Sequence, residues 1–209
     1  MNINKLKPTK FLNISTRDFP HCGDLSKPFF VVVGCSHTAG DSIEYKDCWA
    51  NQLATMLEME HLNIGFSGSD LSYQSSKIDM LKDTLPEAQF YIWMQTYPLR
   101  SRKNLKLLGD TNRRIIFNTT WEDPTTLDLL LTYTDKHLHK PILITNTWRY
   151  PQQYIKILKG KYRNTHNYYV NDNIVTDYGY DGSHSGPDTH KKIATDLYNY
   201  IIDNQMFGK

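Results

Sequence analysis

Two short segments, far apart in this sequence, carry a hydroxyl nucleophile and a base that could activate it. The first is Gly34-Cys35-Ser36-His37-Thr38-Ala39-Gly40. A serine held in a turn among small neighbours can present its hydroxyl at the mouth of a cleft, but serine alone is a weak nucleophile and needs an adjacent base. The second segment, Asp181-Gly182-Ser183-His184, offers that base. An aspartate three residues before a histidine can accept the imidazole Nδ1–H, which fixes the tautomer and leaves Nε2 free to take a serine proton. Taken singly, the serine reads as a helix-capping loop residue and the aspartate–histidine pair as weak. A third segment, Asn63-Ile64-Gly65-Phe66-Ser67-Gly68, adds glycines where a backbone N–H can approach a ligand oxygen closely, as an oxyanion hole requires. A fourth, Gln95-Thr96-Tyr97, places polar groups directly after an apolar run.

Other chemistry is less well supplied. Cys35 precedes Ser36 and could stand in as nucleophile, but a thiol in that position reads as buried and inert. His137 and His139 share an H-x-H spacing near the end of an expected helix and lack the further ligands a metal site needs. No P-loop and no G-x-G-x-x-G occurs, so no nucleotide cofactor is expected, and without further ligands beside His137 and His139 no metal is expected either.

The elements that must position these groups alternate. Phe29 to Val33 form an unbroken apolar, partly β-branched run, which predicts a strand buried on both faces. Further strands are predicted at 61–66, 90–94 and in Ile142-Leu143-Ile144-Thr145. Helical spacing appears over 47–59, from Leu71 to Leu85, after Pro124, and most clearly in Ile193, Ala194, Leu197, Tyr198, Ile201 and Ile202. Gly186-Pro187 opens this last helix, with proline in the first turn. Such alternation predicts a parallel sheet with helices on both faces, and ligands in such sheets bind beyond the carboxyl ends of the strands. All four chemical segments fall at or beyond those ends or before the final helix.

Composition bounds the rest. The 209 residues suit one domain, expected over 28–209 after a polar arm at 1–27. A formal net charge of +2 leaves no nucleic-acid footprint in the whole chain. The three cysteines form no C-x-x-C pair and suggest no disulfide framework. The opening residues lack the apolar run of a secretory signal, and no stretch approaches the ~20 residues of a membrane span. Synthesis in a cytoplasm is therefore expected.

Together these segments resemble the SGNH, or GDSL, esterase/lipase superfamily. Its first block, Gly-Asp-Ser-x-Thr-x-Gly, is matched by residues 34–40 except that Cys35 replaces Asp. Its second, Asn-x-Gly-x-x-Gly, is matched by Asn63, Gly65 and Gly68, and its last, Asp-x-x-His-Pro, by Asp181 and His184, with Ser185 in place of Pro. The third block, Gly-x-Asn-Asp, falls on Gln95 to Pro98 and departs, because Tyr97 stands where the family has Asn. The resemblance covers about residues 28 to 205. It implies a three-layer α/β sandwich around a central, mostly parallel, flavodoxin-like five-stranded sheet. It also implies an acyl-enzyme esterase in which Ser36 is nucleophile, His184 base and Asp181 its orienter. Oxyanion donors would be the N–H groups of Ser36 and Gly68, with Gln95 or Tyr97 in place of the absent Asn. The implied substrate is an acyl, often acetyl, ester on a carbohydrate or small molecule. The basic stretch 99–114, with Arg100 foremost, and Trp148 at a strand end are the expected substrate contacts. The alternative is a non-catalytic glycan-binding or assembly protein, for the loop also resembles phage-encoded SGNH proteins; a virion or host cytoplasm would then be its place of action.

Overall fold

The computed structural model describes residues 21–85, 87–95, 140–146, 165–167 and 175–206. The segment 99–124, the helix expected after Pro124, Tyr97, Arg100, His137, His139 and Trp148 lie outside the described residues.

In chain order the strands are β1 (His21–Cys22), β2 (Phe29–Gly34), β3 (Glu60–Asn63), β4 (Tyr91–Gln95), β5 (Ile142–Asn146) and β6 (Thr165–Asn167). The helices are α1 (Ser36–Ala39), α2 (Trp49–Leu57), α3 (Leu71–Thr84) and α4 (Pro187–Asp203), with a 3-10 turn at Tyr45–Asp47. One sheet runs in the order β1-β3-β2-β4-β5-β6. Every pairing is parallel except β1 with β3. Among the described residues the sheet therefore has six strands in place of the five expected. The addition comes from the supposed arm: His21 and Cys22 pair with Asn63 and Leu62, and the Gly23 N–H donates to the His61 carbonyl at 3.0 Å. A two-residue strand is too short to show any periodicity.

The unbroken apolar runs do what their pattern predicts. All six residues of β2 and all five of β4 are buried. Successive side chains point to opposite faces of a strand, so Phe29, Val31 and Val33 join one core while Phe30 and Val32 join the other. Leu71, Ile78 and Leu81 of α3 complete the first core. Trp49 and Leu53 of α2, with Ile193, Leu197 and Ile201 of α4, complete the second. Two helical layers thus enclose the sheet. Each such side chain, fully buried, contributes about 1.5–3 kcal/mol relative to exposure.

The chain leaves β2 in one direction to form β3 and returns past it to form β4. The boundary between β2 and β4 is therefore the switch point of the sheet, and the crevice at the carboxyl end of β2 is where an open α/β sheet admits a ligand. Ser36 follows that strand end by two residues.

The final helix is capped from a distance. Gly186, its N-cap, has no side chain to offer, and the Asp177 carboxylate takes its place. One carboxylate oxygen accepts from the Asp188 N–H at 3.0 Å, and the other from the Thr189 N–H and hydroxyl, both at 2.7 Å. An anion at a helix N-terminus satisfies orphan donors and meets the positive end of the helix dipole. Burial works to raise the Asp177 pKa, but these hydrogen bonds outweigh it and hold the carboxyl below its ordinary value.

Candidate active site

Gly34 ends β2, Cys35 caps α1, and Ser36 is the first residue of that single turn. The turn is set by its own backbone: the Thr38 and Ala39 N–H groups each donate to the Cys35 carbonyl at 2.9 Å, and the Gly40 N–H donates to the Ser36 carbonyl at 2.9 Å. Gly40 closes it in the left-handed region, at φ 81°. Ser36 is 4% exposed. Cys35 is buried, as the alternative to a thiol nucleophile requires, and burial pushes the Cys48 thiol nearby up to about 12.

The second block holds this turn in place. Asn63, wholly buried at the end of β3, donates its side-chain N–H to the Thr38 carbonyl at 2.6 Å and accepts the Gly65 N–H at 2.9 Å. A Cβ on Gly65 would lie 2.4 Å from the Ala39 nitrogen and 2.7 Å from the Thr38 carbonyl carbon. A Cβ on Gly34 would meet the Thr38 side chain and, at 2.9 Å, the Met94 carbonyl oxygen. These two glycines are required by close approach, Gly34 to the Thr38 side chain and the backbone of β4, Gly65 to the backbone of α1. Gly68 is glycine for a different reason: its φ is 73°, and a Cβ there would meet nothing within 4 Å. The Gly65→Ala variant is expected to lose about 3 kcal/mol, because the clash is with backbone that cannot rotate away. Urea unfolding of the two proteins side by side measures this, and an unchanged midpoint would show that α1 can shift.

Asp181 and His184 form the expected pair. The His184 Nδ1–H donates to Asp181 Oδ2 at 2.5 Å, while Asp181 Oδ1 accepts the N–H groups of Ser183 and His184 at 2.9 and 3.0 Å. Those two backbone donors, that of His184 foremost, and then the imidazole hold the Asp181 carboxyl well below the usual carboxylate range.

The loop bearing this pair is fastened to the chain just past α1. Ser42 Oγ accepts the Asp181 N–H at 2.7 Å, and the Ser42 carbonyl accepts the Tyr180 N–H at 2.9 Å. The two loops also meet through neighbours of the key residues. His37, next to Ser36, shares a 2.7 Å hydrogen bond with the hydroxyl of Ser185, next to His184. The rings of His37 and His184 pack edge to face, centroids 5.7 Å apart. Ser36 is thus brought to the same corner as the Asp181–His184 pair, although no hydrogen bond joins Ser36 to His184 among the described residues.

Gln95 ends β4 fully buried, paired in register with Asn146. Sequence reasoning did not find Ser42, His37, Ser185 or the tyrosines of the same loop, Tyr178 and Tyr180, which are 65% and 81% exposed. Their only signal was proximity in sequence to the chemical segments. A cavity lined by Lys27, Glu58, Met59, Glu60 and His61 among others sits where β2 and β3 begin, the opposite edge of the sheet from Ser36. Among the described residues no cluster suited to a metal ion occurs, and no helix is long and apolar enough to cross a membrane.

No protein-family model matches the sequence, and no curated protein does. Solved structures do match. An active-site mutant of a family 2 carbohydrate esterase from Clostridium thermocellum aligns with 87% of this chain and 65% of its own, at 14% identity and TM-score 0.58. A GDSL-like lipase from Bacteroides ovatus, described as putative, aligns with 87% of this chain and 55% of its own, at 16% identity and TM-score 0.58. This chain therefore spans less than two thirds of either. A catalytic mutant of an acetylxylan esterase from Geobacillus stearothermophilus aligns over 83% of this chain and 94% of its own, at 13% identity and TM-score 0.52. At these identities the likeness is one of fold.

Proposed function

We propose that this chain, whose α/β fold is that of the GDSL/SGNH hydrolases, is a serine ester hydrolase acting on an acyl ester, such as an acetyl group, of a carbohydrate or small molecule. The observation that carries the reading is the Asp181–His184 pair, fastened by Ser42 to the loop that follows Ser36. With its Nδ1–H committed to Asp181, His184 has Nε2 free as base. Ser36 Oγ attacks the ester carbonyl carbon as its proton passes to His184 Nε2. The tetrahedral oxyanion is met by the N–H groups of Ser36 and Gly68, with Gln95 or Tyr97 as a further donor. Collapse expels the alcohol, protonated by His184, and leaves an acyl group on Ser36. Water, deprotonated by the same imidazole, then releases the acid; an acceptor hydroxyl in place of water would make the reaction a transfer. Catalytic hydrogen bonds commonly tighten only in the substrate complex, which accommodates the absence of a Ser36–His184 bond here. The chemistry calls for no cofactor.

Tyr180 adjoins Asp181 and offers an exposed ring on which a sugar can stack; Arg100 and Trp148 remain proposed substrate contacts on sequence grounds. For an acetylated oligosaccharide, Tyr180→Ala is expected to raise KM about 3–10-fold with kcat held, the mark of lost uniform binding. Steady-state kinetics of the two proteins read this directly, and equal KM values would remove Tyr180 from the substrate site.

The test of the whole reading is a fluorophosphonate probe followed by peptide mapping. A single adduct on Ser36 is expected. Tyr97 in the place of the third-block Asn favours the other reading, a glycan-binding protein without turnover, since loss of one oxyanion donor costs about 10²–10³ in rate. Absence of any adduct would select it.

A further inference from the structure

We infer that His37, locked as its neutral Nε2–H tautomer by Ser185 and His190, is a positioning residue for the base His184. The inference rests on the ester-hydrolase reading of that site, but the tautomer itself follows from the hydrogen bonds and the burial of the hydroxyl between the two rings. The chain of contacts begins at a backbone amide. The Trp49 N–H, at the start of α2, donates to His190 Nδ1 at 3.0 Å. An amide can only donate, so this nitrogen carries no proton, and the neutral ring must carry it on Nε2. His190 Nε2–H then donates to the Ser185 hydroxyl oxygen at 3.0 Å. Among the described residues the only other partner of the Ser185 hydroxyl is His37 Nδ1, 2.7 Å away, and a buried hydroxyl proton left without an acceptor is unfavourable, so it is directed there. His37 is left with a bare Nδ1 and its proton on Nε2.

All three side chains are buried: His190 is 0%, Ser185 2% and His37 6% exposed. Burial pushes the His190 pKa down to about 4, against an opposing pull from Asp177. A cationic His37 would set two N–H groups against one hydroxyl oxygen and strand the hydroxyl proton in a buried place, which is unfavourable. The neutral arrangement satisfies every link.

The consequence lies at His184. Its hydrogen bond to Asp181 fixes one ring atom, and its side chain is 29% exposed on the open side. The wall that sets the plane of the ring is His37, edge to face at 61°. Because His37 adjoins Ser36 and Ser185 adjoins His184, the His37–Ser185 bond joins the immediate neighbours of nucleophile and base. A shift of about 1 Å in such geometry can cost 10²-fold in rate, so this bond has leverage on turnover without touching substrate.

Two measurements test it. Long-range ¹H–¹⁵N correlation spectra of the unmodified, histidine-labelled protein at neutral pH should show His37 and His190 as Nε2–H tautomers. His37 found as Nδ1–H or as a cation overturns the proposal, and no variant needs to fold for that result. In Ser185→Ala, His37 should lose its single tautomer, and kcat for an activated acetyl ester should fall about 10-fold with KM within about twofold, as expected when only alignment is lost. Unchanged kcat in that variant overturns the positioning role while leaving the hydrolase reading intact. An unmodified protein without turnover or probe labelling overturns the hydrolase reading and the positioning role with it.

Discussion

Ser36→Ala is expected to lower kcat for an activated acetyl ester by about 10⁴–10⁶-fold, the loss seen when a serine nucleophile is removed and binding with oxyanion donors remains. The substitution should leave stability nearly untouched. The turn around Ser36 is built from backbone bonds at Cys35, Ser36 and Gly40, and no hydroxyl bond takes part in it. Alanine is also favoured in a helical turn. The pairing of lost turnover with an unchanged melting temperature therefore distinguishes chemistry from misfolding. Turnover that survives in the variant would place the nucleophile elsewhere, and with Cys35 buried it would have to lie outside this loop.

The second large effect is expected at Asp181. Asparagine there keeps an oxygen for the N–H groups of Ser183 and His184, so the loop should keep its shape. Its amide N–H would face His184 Nδ1, which must then accept, and the proton moves to Nε2. As the proposed base, His184 would thereby be presented in the wrong tautomer, and kcat should drop about 10³–10⁴-fold at neutral pH. Binding of a substrate analogue, measured by calorimetry, should change little. If kcat stays within about tenfold of the unmodified protein, the orienting role belongs to another group. The same carboxylate gives a signed pH dependence. Its folded-state pKa is depressed, so its stabilisation is present above the ordinary value of 3.8 and is lost as pH falls below that value and through the folded one. Acid unfolding followed by circular dichroism should show a shallower stability loss below pH ~4 in Asp181→Asn than in the unmodified protein.

How far the sequence reveals all this differs from residue to residue. Phe29 to Val33 announce a strand buried on both faces because their pattern leaves no polar side, and the structure places them so. Asp181 and His184 are legible because both partners lie within one tight loop, where spacing nearly dictates contact. Asn63 is legible only as a member of the second block; that its side chain is spent on the Thr38 carbonyl and the Gly65 N–H depends on where α1 is laid against β3. The His37–Ser185 bond and the Asp177 cap on α4 are illegible for a physical reason. Each depends on how a loop is laid in three dimensions, and neither leaves a periodic trace. The edge strands β1 and β6 are short and contain polar residues, so no hydrophobic run marks them.

The two-sided burial of β2 has a consequence for strand registration. In a sheet with one wet face, sliding a strand by one position drives apolar side chains into water, and the hydrophobic pattern alone polices alignment. Phe29 to Val33 enjoy no such guard, since a one-residue slide only exchanges the side chains delivered to the two cores. What rejects the slide is shape at the end of the strand. Gly34 admits the Thr38 side chain and the Met94 carbonyl where no other residue would fit, and Gly65 does the same for the backbone at Thr38 and Ala39. Moved one place along, Val33 or Cys35 would have to enter the Gly34 contact, and neither can. The glycines that bring the Ser36 turn against the sheet thus also serve as its alignment gauge, so that a misaligned strand would fail at the same point where Ser36 is set.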